Sequence, residues 1–393
     1  PSYPCGALIM METLNLWEMW AGVALRFWPV WLSMAGSYLL MRSKRKQLGV
    51  FGHLLDSRVG ITGLLIVFFW FYSAVFADLV ATFDPLEQFY RYRRKPPGII
   101  EAESMIPMFF GTDNLGRDLF SRMVHGSRFV LLIAPSATLV AFIVGITLGL
   151  PAGYKGGRTD SILSFIANMI LSFPVIVLFY LLVTPGIRET ILPNVMASVF
   201  FIFPIIFALT VVRSRYSERP GLMYPWIVII LILGAWLYSG VVFNADPLGW
   251  ISMDPNELNI FAAVVFASSP GVFRIVRGLT MDIKTRDYVA AAQTRGETQW
   301  YIMLWEILPN ARGPLIVDAC LRIGYTTILL GTLGFFGLGL APESPDWGSM
   351  INQTRGLIRL APTIVLPQTI ALASFVLGLN LLADGLREES LKD

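Results

Sequence analysis

Apolar stretches of bilayer-crossing length recur nine times along this 393-residue chain, and they decide what it can fold into. They lie at 20–41, 59–80, 129–150, 161–183, 191–212, 222–243, 260–275, 315–340 and 361–383. A spanning helix needs about 20 mostly apolar residues. Within lipid every backbone N–H and C=O must be satisfied inside the protein, so only helices and closed barrels cross. These runs are continuous rather than alternating, which predicts an all-α polytopic membrane protein. The first stretch is the weakest, because Arg26 and Pro29 interrupt it. The seventh is short and is expected to extend through Arg277. Only 15% of the residues are charged and 55% are hydrophobic, against about 25% charged in an average soluble domain.

Orientation follows from Lys and Arg, which accumulate on the cytoplasmic side. The run RSKRK at 42–46 fixes the segment after the first stretch as cytoplasmic. Alternation then places Lys155 and Arg158, the group Arg213, Arg215 and Arg219, the segment 274–312 and the C-terminal tail with Arg387 and Lys392 on the same side. Outer segments 184–190 and 244–259 hold one basic residue, Arg188. Segment 81–128 is expected outside although it carries Arg91, Arg93, Arg94, Lys95, Arg117, Arg122 and Arg128. Long loops obey the charge rule poorly. Nine spans put the N-terminus outside; a first segment lying on the membrane surface would leave eight spans and an N-terminus inside.

Between the seventh and eighth stretches lies a polar island, 277–313, reading RGLTMDIKTRDYVAAAQTRGETQWYIMLWEILPNARG. It predicts two short amphipathic helices hinged at Gly296 and stopped at Pro309. Glycine takes the left-handed conformation past a helix end at little cost. Thr285 or Asp287 is expected to cap the first helix. A helix pair tethered to the membrane on both sides suits a docking element for a cytosolic partner. An ordinary surface helix pair and a DNA-reading helix-turn-helix share the spacing, but the flanking spans and the net charge of +3 exclude nucleic acid as a partner.

The island resembles the EAA loop of ABC-type importer permeases, E-A-A-x3-G-x9-I-x-L-P. It carries Ala290-Ala291-Ala292, Gly296 and Leu308-Pro309 at that spacing, with Ala290 in place of Glu and Glu306 in place of Ile. GTDNLGRDLFSR at 111–122, FGLG at 336–339 with PDWG at 345–348, and NLLADGLR at 380–387 resemble further segments of dipeptide and oligopeptide permeases, in family order. The chain is identified as similar to the permease subunits of dipeptide/oligopeptide ABC importers.

That resemblance implies a type I importer permease core of six helices, with two additions: an N-terminal segment with basic linker (1–58) and an inserted transmembrane hairpin (184–259). The core would comprise 59–183, with external loop 81–128, and 260–393, with coupling loop 277–313. It also implies a prokaryotic plasma (inner) membrane location and no catalysis in this chain. ATP and Mg would belong to two partner P-loop ATPases. The other partners would be a second homologous permease subunit, an extracytoplasmic substrate-binding protein, membrane lipid and a peptide substrate, with nickel or glutathione as near alternatives. Asp287, Tyr288, Ala291, Ala292, Gly296, Leu308 and Pro309 would couple to the ATPase. Asp113, Arg117, Asp118 and Trp347 would face the binding protein or form the outer gate.

Two features stand apart from the resemblance. Gly145, Gly149 and Gly153 form a small-residue stripe that permits close helix approach, either within the subunit or towards a second permease. Asp318 and Arg322 are four residues apart within an apolar stretch, where each charge alone costs roughly 2.5–3.5 kcal/mol. They are expected to pair, lining the translocation path or bracing a neighbouring helix. No phosphate-binding GxxxxGK[ST] occurs in the sequence, and Gly331, Gly334, Gly337 and Gly339 lack the strand–helix context of a dinucleotide fingerprint. Cys5 and Cys320, or His53 and His125, form neither a disulfide framework nor a metal motif. A stand-alone secondary transporter or channel would need coupling carboxylates within the spans, and only Asp318 qualifies. A membrane enzyme would need a catalytic set, and none stands out.

Overall fold

The computed structural model describes residues 13–183, 190–250, 253, 255–338, 343–359 and 361–390. The predicted outer segment 184–190 up to Arg188, Gly339 of the FGLG segment and Lys392 lie outside the described residues. Among the described residues, seven continuous helices are long and apolar enough to cross a membrane. They are α3 (Arg58–Val75), α4 (Leu119–Lys155), α7 (Leu192–Tyr216), α8 (Pro220–Phe243), α9 (Pro255–Ile283), α11 (Arg312–Phe335) and α13 (Leu366–Ser390). Two short antiparallel strands, Ile99–Ile100 and Pro107–Met108, lie in the loop before α4.

Two predicted spans differ from expectation. The stretch 20–41 is not one helix but two, α1 (Leu16–Arg26) and α2 (Trp28–Ser43), of 11 and 16 residues, parted at Phe27. Pro29 explains the break, since its nitrogen has no proton for the carbonyl four residues back. The pair still joins both ends of the bundle. Leu14 N–H donates to Gly98 O in the outer loop (2.8 Å), while Met41 packs with Leu54, Leu64 and Leu382 at the other end. The stretch 161–183 is likewise a bent pair, α5 (Gly157–Leu171) and α6 (Val175–Val183), with a 73° bend. Pro174 lies in that bend and disfavours helix at Phe173. The seventh span does run on through Arg277, to Ile283.

Two helices organise the bundle. α4, with 37 residues, is about 55 Å long at 1.5 Å per residue and so projects beyond the hydrocarbon. Asp118 caps its start, accepting from Ser121 N–H (2.8 Å). The stripe Gly145, Gly149 and Gly153 faces α9 inside the same chain: a Cβ on Gly149 would stand 2.9 Å from Val276 Cβ and 3.0 Å from Phe273 O. The intrasubunit reading of the stripe therefore holds, and no part of it is left for a second permease. α4 and α9 run parallel, because Gly145 meets Val272 and Gly153 meets Thr280. Parallel packing puts the loop before α4 and the island after α9 at opposite ends, as the charge reading required. A second close approach, Gly63 against Leu382 and Gly378 against Ile66, joins α3 to α13.

The hairpin α7–α8 sits at the periphery. Only 11% of each helix's most apolar window is buried inside the chain, against 67% for α9. Its exposed face, with Ile202, Ile206, Ile229 and Ile232, requires lipid or a membrane partner. Its inner turn, however, packs on the polar island.

Candidate coupling surface and outer bracing network

The island folds as two helical arms. The first, α10 (Asp287–Thr294), follows Arg286 in extended conformation, with no side-chain cap. Neither expected cap operates: Asp287 is the first helical residue, and Thr285 Oγ1 donates to Asp282 O (2.8 Å). α10 ends in a Schellman motif around Gly296, whose φ is +82°. Gly296 N–H donates to Gln293 O (2.9 Å) and Glu297 N–H to Ala292 O (3.3 Å), the pattern a left-handed residue past a helix end allows. Thr298 Oγ1 then accepts from Tyr301 N–H (3.3 Å) and caps the second arm. That arm runs through Gln299–Tyr301, a π-helical stretch Ile302–Ile307, and Leu308–Asn310. Pro309 does not stop it; helix continues to Asn310 and turns at Ala311 into α11. Proline cannot donate to the carbonyl of Trp305, and the wider π turn just upstream accommodates that missing bond.

The two arms share an apolar floor of Val289, Ala292, Ile302, Met303 and Ile307. Arg295 Nη2 ties them by donating to Glu306 Oε1 (2.9 Å). Glu306, which departs from the EAA pattern, thus has a structural partner across the hinge. Lys284 Nζ donates to Gly153 O (2.8 Å) at the carbonyl end of α4, where the helix dipole favours a cation. Gln293 Nε2 donates to Tyr154 Oη (3.0 Å). The arms are therefore bolted to both α4 and α9.

Of the residues assigned to coupling, Asp287, Tyr288, Ala291, Gly296 and Pro309 are exposed, and Leu308 is half-buried. Ala292 is a correction: it is fully buried in the floor and offers nothing to a partner. A 3.6-residue period separates Ala291 from Ala292 by about a third of a turn, so adjacent alanines face differently.

At the outer end, Asp113, Arg117, Asp118, Arg122 and Trp347 are all at most 3% exposed. Direct contact with a binding protein is closed to them in this arrangement. Instead they brace the outer segments. Arg117 Nε donates to Asp113 Oδ2 (2.7 Å) and its Nη2 to Gln353 Oε1 (2.9 Å) on α12 (Trp347–Thr354). Arg122 donates to backbone carbonyls of Pro85 (3.0 Å) and Ser344 (3.1 Å). Trp347 Nε1 donates to Met123 O (2.9 Å), and its ring meets Trp70 at 4.9 Å. Burial pushes the carboxyls of Asp118 and Asp346 above the usual carboxylate range, more than their hydrogen bonds to Ser121 and Ser349 pull them down. Several of the loop's arginines are locally occupied, including Arg128, whose Nη2 lies 2.8 Å from Asp78 Oδ2. The loop's basic residues are thus partly paired within the protein, at the end of the bundle opposite the island.

In the bundle, Arg322 Nε donates to Asp318 Oδ2 (2.6 Å), as the spacing predicted. The guanidinium lies against Gly271 on α9.

Residues 221–388 match the family of binding-protein-dependent transport system inner membrane components. The matched stretch begins within α8 and takes in α9, the island, α11 and α13. Over 326 residues the chain is 29% identical to the di/tripeptide transport system permease protein DppC of Pseudomonas aeruginosa, covering 83% of this chain and 85% of that protein. It is 28% identical over 334 residues to the glutathione transport system permease protein GsiD of Pectobacterium atrosepticum (85% and 87%). It is 29% identical over 338 residues to the dipeptide transport system permease protein DppC of Alkalihalophilus pseudofirmus (86% and 87%).

The family's match thus falls on residues 221–388, and over most of its length the chain is similar to dipeptide-type and glutathione permeases. It is a multi-pass inner-membrane protein. Sequence reasoning missed three positions that the fold makes prominent. Gln353 receives Arg117 and, through its carbonyl, Asn114 Nδ2 (2.7 Å). Ser214 Oγ receives Trp305 Nε1 (3.1 Å) from the second arm. Arg215 stacks on that same indole, 5.0 Å from its centroid. Glu306 had a visible signal, a charge where the pattern carries isoleucine. The other contacts join segments far apart in sequence and left none.

Proposed function

We propose that this chain is the non-catalytic, membrane-spanning permease subunit of an ATP-driven, binding-protein-dependent importer of peptides. The observation that carries the reading is the exposed face of α10, with Asp287, Tyr288 and Ala291. It lies on a stiff two-armed loop at the end opposite the outer segments. In this reading a partner ATPase holds that face in a cleft, with ATP and Mg bound in the partner. A second permease subunit completes the path, and an external binding protein delivers substrate.

Switching a two-state permease from 1:99 to 99:1 requires about 5.5 kcal/mol of differential binding. A soft loop would dissipate such a bias. The apolar floor, the Arg295–Glu306 tie and the Lys284 contact to α4 let the loop move as a body with α4 and α9. The relatives' names, dipeptide, di/tripeptide and glutathione permeases, support a short-peptide cargo; glutathione is itself a tripeptide. The stand-alone carrier is less well supported, because its one candidate carboxylate, Asp318, is already held by Arg322.

Co-expression with a second permease subunit, two P-loop ATPases and a binding protein from the same organism tests the reading. The ATPases should co-purify, and peptide uptake into proteoliposomes should require ATP on the island's side. Uptake by the lone chain, driven by an ion gradient, would overturn it.

A further inference from the structure

The inserted hairpin does not merely face lipid. Its inner turn, 213–219, reaches the island and closes against the hinge. Trp305 on the second arm is held on both sides: its Nε1 donates to Ser214 Oγ (3.1 Å), and Arg215 covers its ring at 5.0 Å. Between the turn and the hinge lies a polar cavity of about 460 Å³, walled by Arg215, Glu218 and Arg219 on one side and Gly296, Glu297 and Tyr301 on the other. The cavity is partly open, and its lining includes Gly296, just past the end of α10.

We propose that this turn is an added part of the surface that receives the ATPase subunit, so that the partner grips the hairpin and the coupling loop together. The inference rests on the coupling role proposed above and extends it to a segment outside the EAA pattern. Mixed charge argues for a protein occupant. Arg215 and Arg219 offer donors, while Glu218 and Glu297 offer acceptors. A protein edge presents both kinds of group, whereas a lipid phosphate would meet two carboxylates in a 460 Å³ space. The neighbouring exposed Arg213 and Ser217 widen the polar rim, where charges set association rate and register more than total affinity. Mechanically, Trp305 clamped between Ser214 and Arg215 makes α7 move with the second arm. The hairpin then acts as an outrigger that enlarges the area over which ATPase closure pushes on the bundle.

The test uses the assembled transporter in lipid bilayers, with single cysteines at Ser217 and, as reference, at Tyr288, in a chain whose Cys5 and Cys320 are replaced by serine. A short bifunctional maleimide should link both Ser217→Cys and Tyr288→Cys to the ATPase subunit. The paired reversal Arg213→Glu with Arg219→Glu should weaken ATPase binding by about two- to fivefold per charge, as exposed charge pairs do, with a reduced salt dependence. If Tyr288→Cys links and Ser217→Cys does not, the inference fails while the coupling role stands. If neither links, the coupling role itself fails. If Ser217→Cys becomes shielded in vesicles containing anionic lipid but no ATPase, the turn is a lipid contact and the inference is overturned.

Discussion

Replacing Gly296 isolates the hinge, because the site tests backbone conformation without steric conflict. Its φ is +82°, and a Cβ built there meets no atom within 4 Å. A left-handed residue with a Cβ costs roughly 1–2 kcal/mol, so Gly296→Ala should penalise the native hinge by that amount and no more. If the ATPase accepts only the native hinge, affinity for the permease should fall by up to about five- to thirtyfold, since 1.4 kcal/mol is a factor of ten. Gly296→Asn is the informative companion. Asparagine is larger than alanine but tolerates the left-handed region better, so its effect should be the smaller of the two. The assay is titration of purified ATPase onto the permease pair in bilayer discs, with thermal unfolding as control. A loss that grows with side-chain size, Asn exceeding Ala, would refute the conformational argument and point to steric exclusion. No loss in either variant would refute the hinge's role in docking.

Three further outcomes follow from the packing and the charges. Gly149→Leu should overpack the α4–α9 contact and destabilise the chain by about 1–3 kcal/mol, read as a lowered unfolding temperature in detergent; an unchanged value would mean the helices are not this close. Asp346 and Asp118 have folded pKa values raised above 3.8. Their protonated forms therefore suit the fold: the outer segments should lose stability as pH rises from about 3.8 through those raised values, and Asp346→Asn should flatten that slope in hydrogen exchange. A double-mutant cycle on Arg295 and Glu306, 54% and 25% exposed, should return about 0.2–1 kcal/mol of coupling, and a null cycle would remove the tie between the arms.

The apolar runs made most of the bundle legible, because crossing lipid demands length and hydrophobicity that one dimension records. Gly296 was legible for the same kind of reason: a left-handed turn has a strong residue preference. What failed depends on facing and distance. The runs at 20–41 and 161–183 have the composition of spans, and their breaks came from Pro29 and Pro174, whose effect on a tethered helix depends on what else supports the backbone. Ala292 occupies a small-residue position of the EAA pattern, which suggests docking, yet the helical period turns it into the floor. The resemblance implies that Asp113, Arg117, Asp118 and Trp347 face a binding protein or form the outer gate, and sequence alone does not tell exposed from buried there. In the fold they are consumed by partners, some local, such as Ser121 for Asp118, and some more than two hundred residues away, such as Gln353 for Arg117. The hairpin's apolar faces were recognised, but nothing along the sequence ties Ser214 and Arg215 to Trp305.

The central claim is that the α10 face transmits force from a partner's nucleotide cycle. It is tested most directly by cross-linking from Ala291→Cys in the assembled, cysteine-replaced transporter, with and without ATP. The expected result is a link to the ATPase subunit whose yield changes with nucleotide, with the same cysteine reached by impermeant maleimide only from the ATPase side of the membrane. Labelling from the opposite side, or no link in any nucleotide state of an active transporter, would contradict the account.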